Sequence, residues 1–525
     1  MVLRMRREKI LIFDTTLRDG EQASGFHMYP EQKLEIAKDL ASMGVDIMEV
    51  GNPISSPGDY NAVRRICEKV EGPTIAALAR CVDADIEAAC KALEPAIERE
   101  KGRAHVYIAT SDIHTEKKLR KGREKIMDMV YKSVSKAKKF TNDIQFSPED
   151  FTRSDIDYTI DVIEKAVEAG ATTINLPDTV GYSIPSETRK KVQKTIKTVK
   201  EKTGRDDIVF SIHCHDDIGL ATANTIESIL GGVRQVEVTV NGIGERAGNA
   251  SLEEIVAIIR ERPDYFRKEL GHSVYTDIDT KKIFRLSRKV ASFTGSEPQR
   301  NKAIVGYNAF SHEAGVHQDG MTKDRRTYEW INPKDYGTQS RLTLGPRSGR
   351  KGLLEAYKKM GLELDRNGFF NNVFERFVAI ADKEKEIDHY HLAKALSGRE
   401  MNPSYELVSA KVWSEDVGEN AQITLRVNGD EYVKGASGKG MIDASVKAIN
   451  SITGLHIDIV DYRSQSATQG SEAIGMETVL IRNNGLELKG HGWDSDVVRG
   501  SIKAYVDAIN RMKYVMETVE AYSKI

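Results

Sequence analysis

The sequence predicts an α/β protein in which a (β/α)₈ TIM barrel is followed by a mostly helical subdomain and a duplicated α/β module. Three observations support this prediction. Short apolar segments alternate with longer amphipathic segments through residues 10–261. That alternation then stops, and residues 401–525 contain an internal repeat.

The composition excludes several broad classes of protein. Of the 525 residues, 40% are hydrophobic and 30% are charged, and the net charge is −2. This balance is typical of a folded protein and argues against one that coats nucleic acid or an anionic membrane. The cysteines, Cys67, Cys81, Cys90 and Cys214, have no C-x-x-C spacing, which favours a reducing compartment. No apolar run is long enough to span a membrane, and the apolar stretch near the amino end is too short for a signal peptide. We therefore predict a cytoplasmic protein.

Eight segments have the character of buried strands, and a helical segment follows each of them. A doubly wound open sheet is the alternative, but eight regular units favour closure into a barrel. The predicted strands are Ile10–Asp14, Ile47–Val50, Thr74–Ala79, Ala104–Ala109, Asp143–Phe146, Thr173–Leu176, Ile208–Ile212 and Gln235–Val240.

The helix boundaries follow from local signals. The first helix is predicted to begin at Pro30, because proline suits a first turn, and to end at Gly44. The last helix of the barrel is predicted to follow Ser251, which together with Glu254 matches a capping box. These start and end signals indicate that the amphipathic segments between the strands are helices.

The repeat lies near the carboxyl end. Val427–Glu431 and Asn483–Glu487 each precede a glycine-rich turn, and each copy ends in an Ala-Ile-Asn triplet, at 448–450 and 508–510. We predict three domains: residues 1–275 as the barrel, 276–400 as helical linker subdomains that contribute to the active site, and 401–525 as the duplicated module. The module could be an oligomerisation platform or could hold a small regulatory ligand between its halves.

Active sites of (β/α)₈ barrels lie at the carboxyl ends of the strands. The segments predicted there are rich in His, Asp, Glu and Asn and contain no lysine, which argues against a Schiff-base aldolase. They are Thr15–Gln22, Thr110–Asp112, Phe146–Asp150, Asn175–Thr179, His213–Asp217 and Asn241–Asn249.

His213 and His215 are the sharpest local signal. Residues i and i+2 of a strand point the same way, so the two imidazoles can converge. With Asp19 and the amide oxygen of Asn249 they form a mixed nitrogen and oxygen set that suits Zn²⁺, Mn²⁺ or a similar Lewis acid. The alternative is a pair of ordinary polar residues at a strand end. The acidic partner Asp19 favours the metal.

Two other motifs are weaker. Gly242–Ala247 matches G-x-G-x-x-A, but the following helix begins too late and this is the last unit, so a dinucleotide site is disfavoured. His312–His317 resembles a zinc-protease motif, but its histidines lack the i, i+4 spacing. Unless they serve another function, His312 and His317 are then predicted to be ordinary residues on the surface of a helix.

With these residues aligned, the chain resembles the 2-isopropylmalate synthases, a branch of the homocitrate synthase family of barrel metallo-enzymes that condense acetyl-CoA with 2-oxoacids. The resemblance runs nearly end to end. It rests on Leu17–Gln22, Glu49–Gly51, Ser55–Asp59, Ile108–Ser111, Leu176–Tyr182, His213–His215, Asn241–Asn249, Asn301–Gly306 and His312–Gly320. The duplicated module resembles the leucine-binding regulatory domain of that family.

The resemblance implies an acyltransferase that converts the acyl group to an alkyl group. It would join acetyl-CoA, 3-methyl-2-oxobutanoate and water into 2-isopropylmalate and CoA, the first committed step of leucine biosynthesis. It further implies a divalent ion (Mn, Mg or Zn), an optional monovalent activator, leucine as an allosteric inhibitor and a homodimer. The alternative is a citramalate, homocitrate or aryl-malate type of synthase. An acyl-CoA lyase would not need the duplicated module, and a ligand sensor would not need the site residues.

By position, the resemblance also implies individual roles. The implied residues are Asp19, His213, His215 and Asn249 for the metal; His105, Ser147, Asn175 and Thr179 for the 2-oxoacid; and Arg18, Glu149, His317 and Tyr328 for catalysis. Arg18 would stabilise the developing oxyanion. His317, with Glu149 through a water, would be the base, and Glu149 alone is the alternative. His317 and Tyr328 would reach over the barrel mouth from the partner chain.

Four residues depart from the family pattern. Asn52 stands where an aromatic residue is expected, so the preferred 2-oxoacid stays open. Asp216 stands where asparagine is common. Met441 and Trp493 lie in the two glycine-rich turns of the module and could weaken or retune leucine feedback.

Overall fold

The computed structural model describes residues 7–365, 368–415, 418–455, 457–466, 468, 473–483 and 486–523. It consists of two compact units. The first comprises Met1–Phe310 with Ile331–Ser340, and the second comprises Ser311–Trp330 with Arg341–Ile525. Within the described residues, no helix combines the length and the apolar character needed to cross a membrane.

The first unit is built around eight parallel strands that close into a barrel. The predicted barrel is therefore confirmed, and the open-sheet alternative is wrong. Every predicted strand is present, with ends shifted by a few residues. The barrel strands are β2 (Leu11–Asp14), β3 (Ile47–Glu49), β4 (Thr74–Arg80), β5 (Gly102–Ala109), β6 (Ile144–Glu149), β7 (Thr173–Asp178), β8 (Val209–Cys214) and β9 (Gln235–Val238).

Ten helices accompany the described part of the barrel unit. They are α1 (Pro30–Met43), α2 (Pro57–Lys69), α3 (Asp83–Ile97), α4 (Arg123–Ala137), α5 (Ile156–Glu168), α6 (Pro185–Thr203), α7 (Ala221–Leu230), α8 (Leu252–Glu261), α9 (Pro263–Leu270) and α10 (Ile283–Thr294). Two short strands, β1 (Arg7–Lys9) and β10 (Ser273–Tyr275), pair in parallel beside the barrel. Apolar side chains from strands and helices form one continuous core.

The helix ends show where local signals hold and where they fail. As predicted, α1 begins at Pro30 and ends before Gly44, whose φ of 94° suits glycine. The predicted capping box of α8 is wrong: Ser251 makes no side-chain cap. Instead the Nζ of Lys302 donates to Ser251 Oγ (2.7 Å) and to Glu254 Oε1 (2.9 Å). The ammonium group of Lys302 is largely buried, and a buried charge is costly unless it is hydrogen-bonded. It therefore occupies the two acceptors that would otherwise form the helix cap.

The second unit begins with short elements and helices. These are β11 (Ser311–His312), which pairs with β12 (Arg341–Leu342), then α11 (Gly315–Lys323), α12 (Arg350–Lys359), α13 (Gly368–Ala381) and α14 (His389–Ser397). The mostly helical subdomain is thus confirmed.

The duplicated module follows in the same unit. Two antiparallel three-stranded sheets each precede one helix, so the predicted repeat is confirmed. The first copy is β13 (Tyr405–Glu415), β14 (Gly418–Val427), β15 (Asp430–Gly438) and α15 (Met441–Thr453). The second is β16 (Asp458–Ser466), β17 (Gly475–Asn483), β18 (Leu486–Asp494) and α16 (Val497–Tyr522). Residues 484–485 of the second copy lie outside the described part.

The asparagines of the two Ala-Ile-Asn triplets join the copies to their surroundings. Asn510 accepts from the backbone N–H of Tyr405 (2.9 Å) and donates to its carbonyl (2.8 Å). Asn450 Oδ1 accepts from the hydroxyl of Tyr505 (2.7 Å). The equivalent positions thus make different contacts, which is expected of a pseudo-symmetric pair.

Candidate metal centre and active site

Three predicted metal ligands converge at the carboxyl end of the barrel. Asp19 follows β2, His213 lies near the end of β8, and His215 comes directly after that strand. All three are buried, and one donor atom from each lies within 4.8 Å of the others. The Nε2 atoms of the histidines are 3.1 Å apart, and each lies 3.8 or 3.9 Å from Asp19 Oδ2. The closed barrel brings the first and seventh of its strands close enough for this convergence.

The donor atoms fit a divalent cation. Asn249 donates its amide N–H to Asp19 Oδ1 (2.8 Å), while its own Oδ1 is buried without a hydrogen-bond partner among the described residues. A buried acceptor left without a partner costs free energy unless a ligand satisfies it. Two imidazoles, a carboxylate and an amide oxygen are a set that Zn²⁺ or Mn²⁺ accepts.

The electrostatics of the three groups also suit a cation. Burial alone would raise the pKa of Asp19, but Arg18 and the two histidines hold it below its ordinary value. Burial, with the neighbouring His213, lowers the pKa of His215 to about 4, so its imidazole is neutral at pH 7. Burial also opposes protonation of His213, but the neighbouring carboxylates of Glu237 and Asp19 raise its pKa.

The glycine-rich segment after β9 packs closely against Asn249 and Asp19. A Cβ at Gly244 would lie 2.0 Å from Asn249 Nδ2 and 3.0 Å from Asp19 Oδ1. A Cβ at Gly242, whose φ is 67°, would lie 2.5 Å from Ser251 Oγ and 3.0 Å from the carbonyl oxygen of Asn249. Glycine is therefore required for close backbone approach at these two positions. This explains the G-x-G pattern without a dinucleotide.

Arg18 is held between two carboxylates. Its Nε donates to Glu49 Oε2 (2.5 Å) and its Nη1 donates to Asp19 Oδ2 (2.6 Å). Glu49 is fully buried, and although burial alone would raise its pKa, Arg18 and His105 hold it below the ordinary value. The guanidinium is therefore fixed in orientation beside the candidate metal site.

Three of the predicted oxoacid-pocket residues form one hydrogen-bonded chain. His105 Nε2 lies 2.7 Å from Ser147 Oγ, which accepts from Asn175 Nδ2 (3.0 Å). Thr179 is placed differently: its hydroxyl accepts from the backbone N–H of Asp150 (2.9 Å). The structure thus groups His105, Ser147 and Asn175 inside the barrel and puts Thr179 in the turn after β7.

The remaining predicted catalytic groups belong to different units of the chain. Glu149, at the end of β6, accepts from Lys118 Nζ at 2.7 and 3.1 Å. His317 and Tyr328 belong to the second unit, where their rings stack with centroids 4.2 Å apart. Their reach to the barrel mouth stays a prediction. His312 lies on β11 rather than on a helix, and its Nε2 is 3.0 Å from Glu329 Oε1.

Sequence reasoning missed three polar side chains inside the barrel as site residues, namely Glu49, Gln145 and Glu237. Glu49 binds Arg18 and His105, and Glu237 contacts His213 and Gln145. A signal for each was present: a carboxyl or amide side chain within an otherwise apolar strand. In a buried parallel strand such a residue must face a polar partner.

The chain matches three family models. Residues 9–290 match the HMGL-like family, residues 304–385 the homocitrate synthase post-HMGL domain-like family, and residues 384–513 the LeuA allosteric (dimerisation) domain. The HMGL-like match covers the whole barrel and the candidate metal centre.

Curated relatives match almost end to end. The 2-isopropylmalate synthase of Aquifex aeolicus is 43% identical over 510 residues, covering 96% of each chain. That of Nostoc sp. (strain PCC 7120) is 43% identical over 533 residues, covering 99% of each chain. That of Carboxydothermus hydrogenoformans is 44% identical over 513 residues, covering 97% of this chain and 98% of the relative. Because similarity of this degree extends through the barrel, the helical subdomain and the duplicated module, the chain belongs to the 2-isopropylmalate synthase family.

Proposed function

We propose that the chain condenses acetyl-CoA with 3-methyl-2-oxobutanoate and water to give 2-isopropylmalate and CoA. The observation that carries this proposal is the convergence of Asp19, His213 and His215 in a chain similar throughout its length to curated synthases. We also propose that the protein is a cytoplasmic homodimer. Its domain boundaries would lie at about residues 275 and 400, between the barrel, the helical subdomain and the duplicated module. A monovalent cation would serve as an optional activator.

Asp19, His213, His215 and Asn249 would hold the divalent ion, which as Mn²⁺, Mg²⁺ or Zn²⁺ supplies Lewis-acid polarisation of a carbonyl. His105, Ser147 and Asn175 offer hydrogen bonds to the 2-oxoacid, as does Thr179 from the turn after β7. These groups orient the keto carbon before the reaction.

Proton transfer starts the condensation. A base removes a proton from the methyl group of acetyl-CoA; His317, through a water with Glu149, is our candidate, and Glu149 alone is the alternative. The methyl carbon then bonds to the keto carbon, and the keto oxygen gains negative charge until it takes the proton back from the protonated base. Arg18 stabilises that charge, because its guanidinium is already oriented by Glu49 and Asp19. Tyr328 would close over the reacting groups. Water finally cleaves the thioester and releases CoA as the thiol.

The test is the rate of thiol release from acetyl-CoA with a panel of 2-oxoacids. We expect the highest kcat/KM with 3-methyl-2-oxobutanoate, by about 10- to 200-fold for each methyl group that the pocket recognises. Pyruvate, 2-oxoglutarate and aryl-pyruvates complete the panel. Equal or reversed preference would retire the leucine-pathway substrate while leaving the condensation in place.

A related alkylmalate synthase is the second candidate, and Asn52 favours it. The backbone N–H of Asn52 donates to Asp59 Oδ2 (2.7 Å), whereas its side-chain Oδ1 is buried without a hydrogen-bond partner among the described residues. A buried polar atom beyond the end of β3 would favour a 2-oxoacid with a polar side chain. Faster thiol release with 2-oxoglutarate than with 3-methyl-2-oxobutanoate would support this candidate.

We further propose that leucine binds the duplicated module and inhibits the enzyme. The match of residues 384–513 to an allosteric (dimerisation) domain supports this. Leucine is expected to lower the rate of thiol release from the full-length protein, and deletion of the residues after Ser404 is expected to remove that inhibition. Inhibition that persists in a folded, active truncated protein would place the sensor elsewhere.

A further inference from the structure

The Glu237 side chain is buried against a proposed metal ligand. Glu237 lies on β9 and is 1% exposed. Its Oε2 is 3.0 Å from Nδ1 of His213 on β8, and its Oε1 accepts from Nε2 of Gln145 on β6 at 2.6 Å. Gln145 thus binds Oε1, whereas Oε2 lies close to His213 Nδ1 and has no other partner among the described residues.

The orientation of the Gln145 amide is set by its other contacts. Its Oε1 accepts from Gln235 Nε2 (2.9 Å) and from Arg103 Nη1 (3.2 Å). Arg103 also donates to Gln235 Oε1 at 2.7 Å. Because the Gln145 oxygen is occupied by donors, its NH₂ group faces Glu237. The network therefore holds Oε1 of Glu237, the carboxylate oxygen that is not the one next to His213.

The contact with Glu237 decides which nitrogen of His213 carries the proton. A neutral imidazole has one N–H and one lone pair, and the nitrogen that faces a carboxylate bears the N–H. Nδ1 of His213 faces Glu237, so the lone pair is on Nε2. That atom lies 3.1 Å from His215 Nε2 and 3.8 Å from Asp19 Oδ2. The lone pair consequently sits among the other proposed donors.

We propose that Glu237 is a positioning residue that sets the metal affinity of the site by holding His213 with its Nε2 lone pair directed at the cation. The proposal rests on the metal site of the proposed function. It assigns a role to a residue outside the proposed metal-ligand and substrate-binding sets. Carboxylates that accept from a ligating histidine raise its basicity, and their removal typically lowers metal affinity by about 10- to 100-fold.

The experiment measures the dissociation constant for Co²⁺ of the metal-stripped, full-length protein by competition with a chromophoric chelator. We expect Glu237→Gln to weaken binding by about 10-fold and Glu237→Ala by up to about 100-fold. The visible spectrum of the Co²⁺ protein should change as well, because it reports histidine geometry. Glu253→Gln is the matched control: Glu253 is buried to the same 1% on α8 but contacts none of the proposed donors. Circular dichroism verifies folding, and the near-isosteric glutamine variant carries the test if the alanine variant does not fold.

The same substitution in a His213→Ala background separates positioning from a general structural role. If Glu237 acts through His213, Glu237→Gln should change the Co²⁺ affinity of that background by less than about twofold, since contacting residues are not additive. An equal loss in both backgrounds, or wild-type affinity in the single variant, would overturn the proposal. Tight Co²⁺ binding by a wild-type protein that releases no thiol would instead refute the proposed reaction and leave this inference standing.

Discussion

His213→Ala is expected to lower metal-dependent turnover by about a thousandfold. A Lewis acid stabilises the transition state by several kcal/mol, and each loss of about 1.4 kcal/mol lowers the rate about tenfold. His213 contributes the imidazole nitrogen nearest both other donors, at 3.1 Å from His215 Nε2 and 3.8 Å from Asp19 Oδ2. The alanine variant keeps Asp19 and His215 but has one donor fewer, so it is expected to bind the ion much more weakly and to lose most of it during purification. The measurements are thiol release with excess Mn²⁺ and the metal content of the purified protein.

His272→Ala is the control for this prediction. His272 contacts Glu8 (2.7 Å), next to β1 and β10 and away from the carboxyl ends of the strands. It should keep wild-type turnover and metal content. Turnover of His213→Ala within about threefold of wild type in buffer containing a chelator would remove the Lewis-acid step from the mechanism.

Arg18→Lys is expected to lower kcat by about 100- to 1000-fold, the usual effect of removing an oriented donor to a developing oxyanion. Lysine keeps the positive charge but cannot donate to Glu49 and Asp19 in the fixed fork that arginine makes. Because the lost contact strengthens as charge develops, kcat should fall far more than KM rises. Steady-state kinetics over a range of 3-methyl-2-oxobutanoate concentrations measures both.

Arg205→Lys provides the comparison. Arg205 also makes a two-pronged pair, with Asp207 at 2.6 and 2.7 Å, but it lies in the loop before β8. Its kcat should stay within about twofold of wild type, as exposed ion pairs contribute little. A change confined to KM in Arg18→Lys would mean that Arg18 binds substrate rather than stabilising the oxyanion.

The strand pattern carried most of the fold prediction. Buried parallel strands are short, apolar and separated by amphipathic helices, so each one is visible in a few consecutive residues. The same local logic predicted the end of α1 at Gly44 and the repeat in the module. It failed at Ser251, because the competing donor Lys302 comes from a segment 51 residues away.

The sequence by itself determined the barrel, the duplicated module, and a set of His, Asp and Asn residues at the strand ends. Only the tertiary structure decided which of them meet. It shows that Arg18 forms an ion pair with Glu49 and that Lys118 forms one with Glu149. It also shows that the Glu237 carboxylate lies next to the His213 ring. The physical reason is that a strand pattern specifies which face a residue occupies, whereas barrel closure specifies which distant strands share a hydrogen bond. Asp19 and Asn249, 230 positions apart, are in contact for that reason alone.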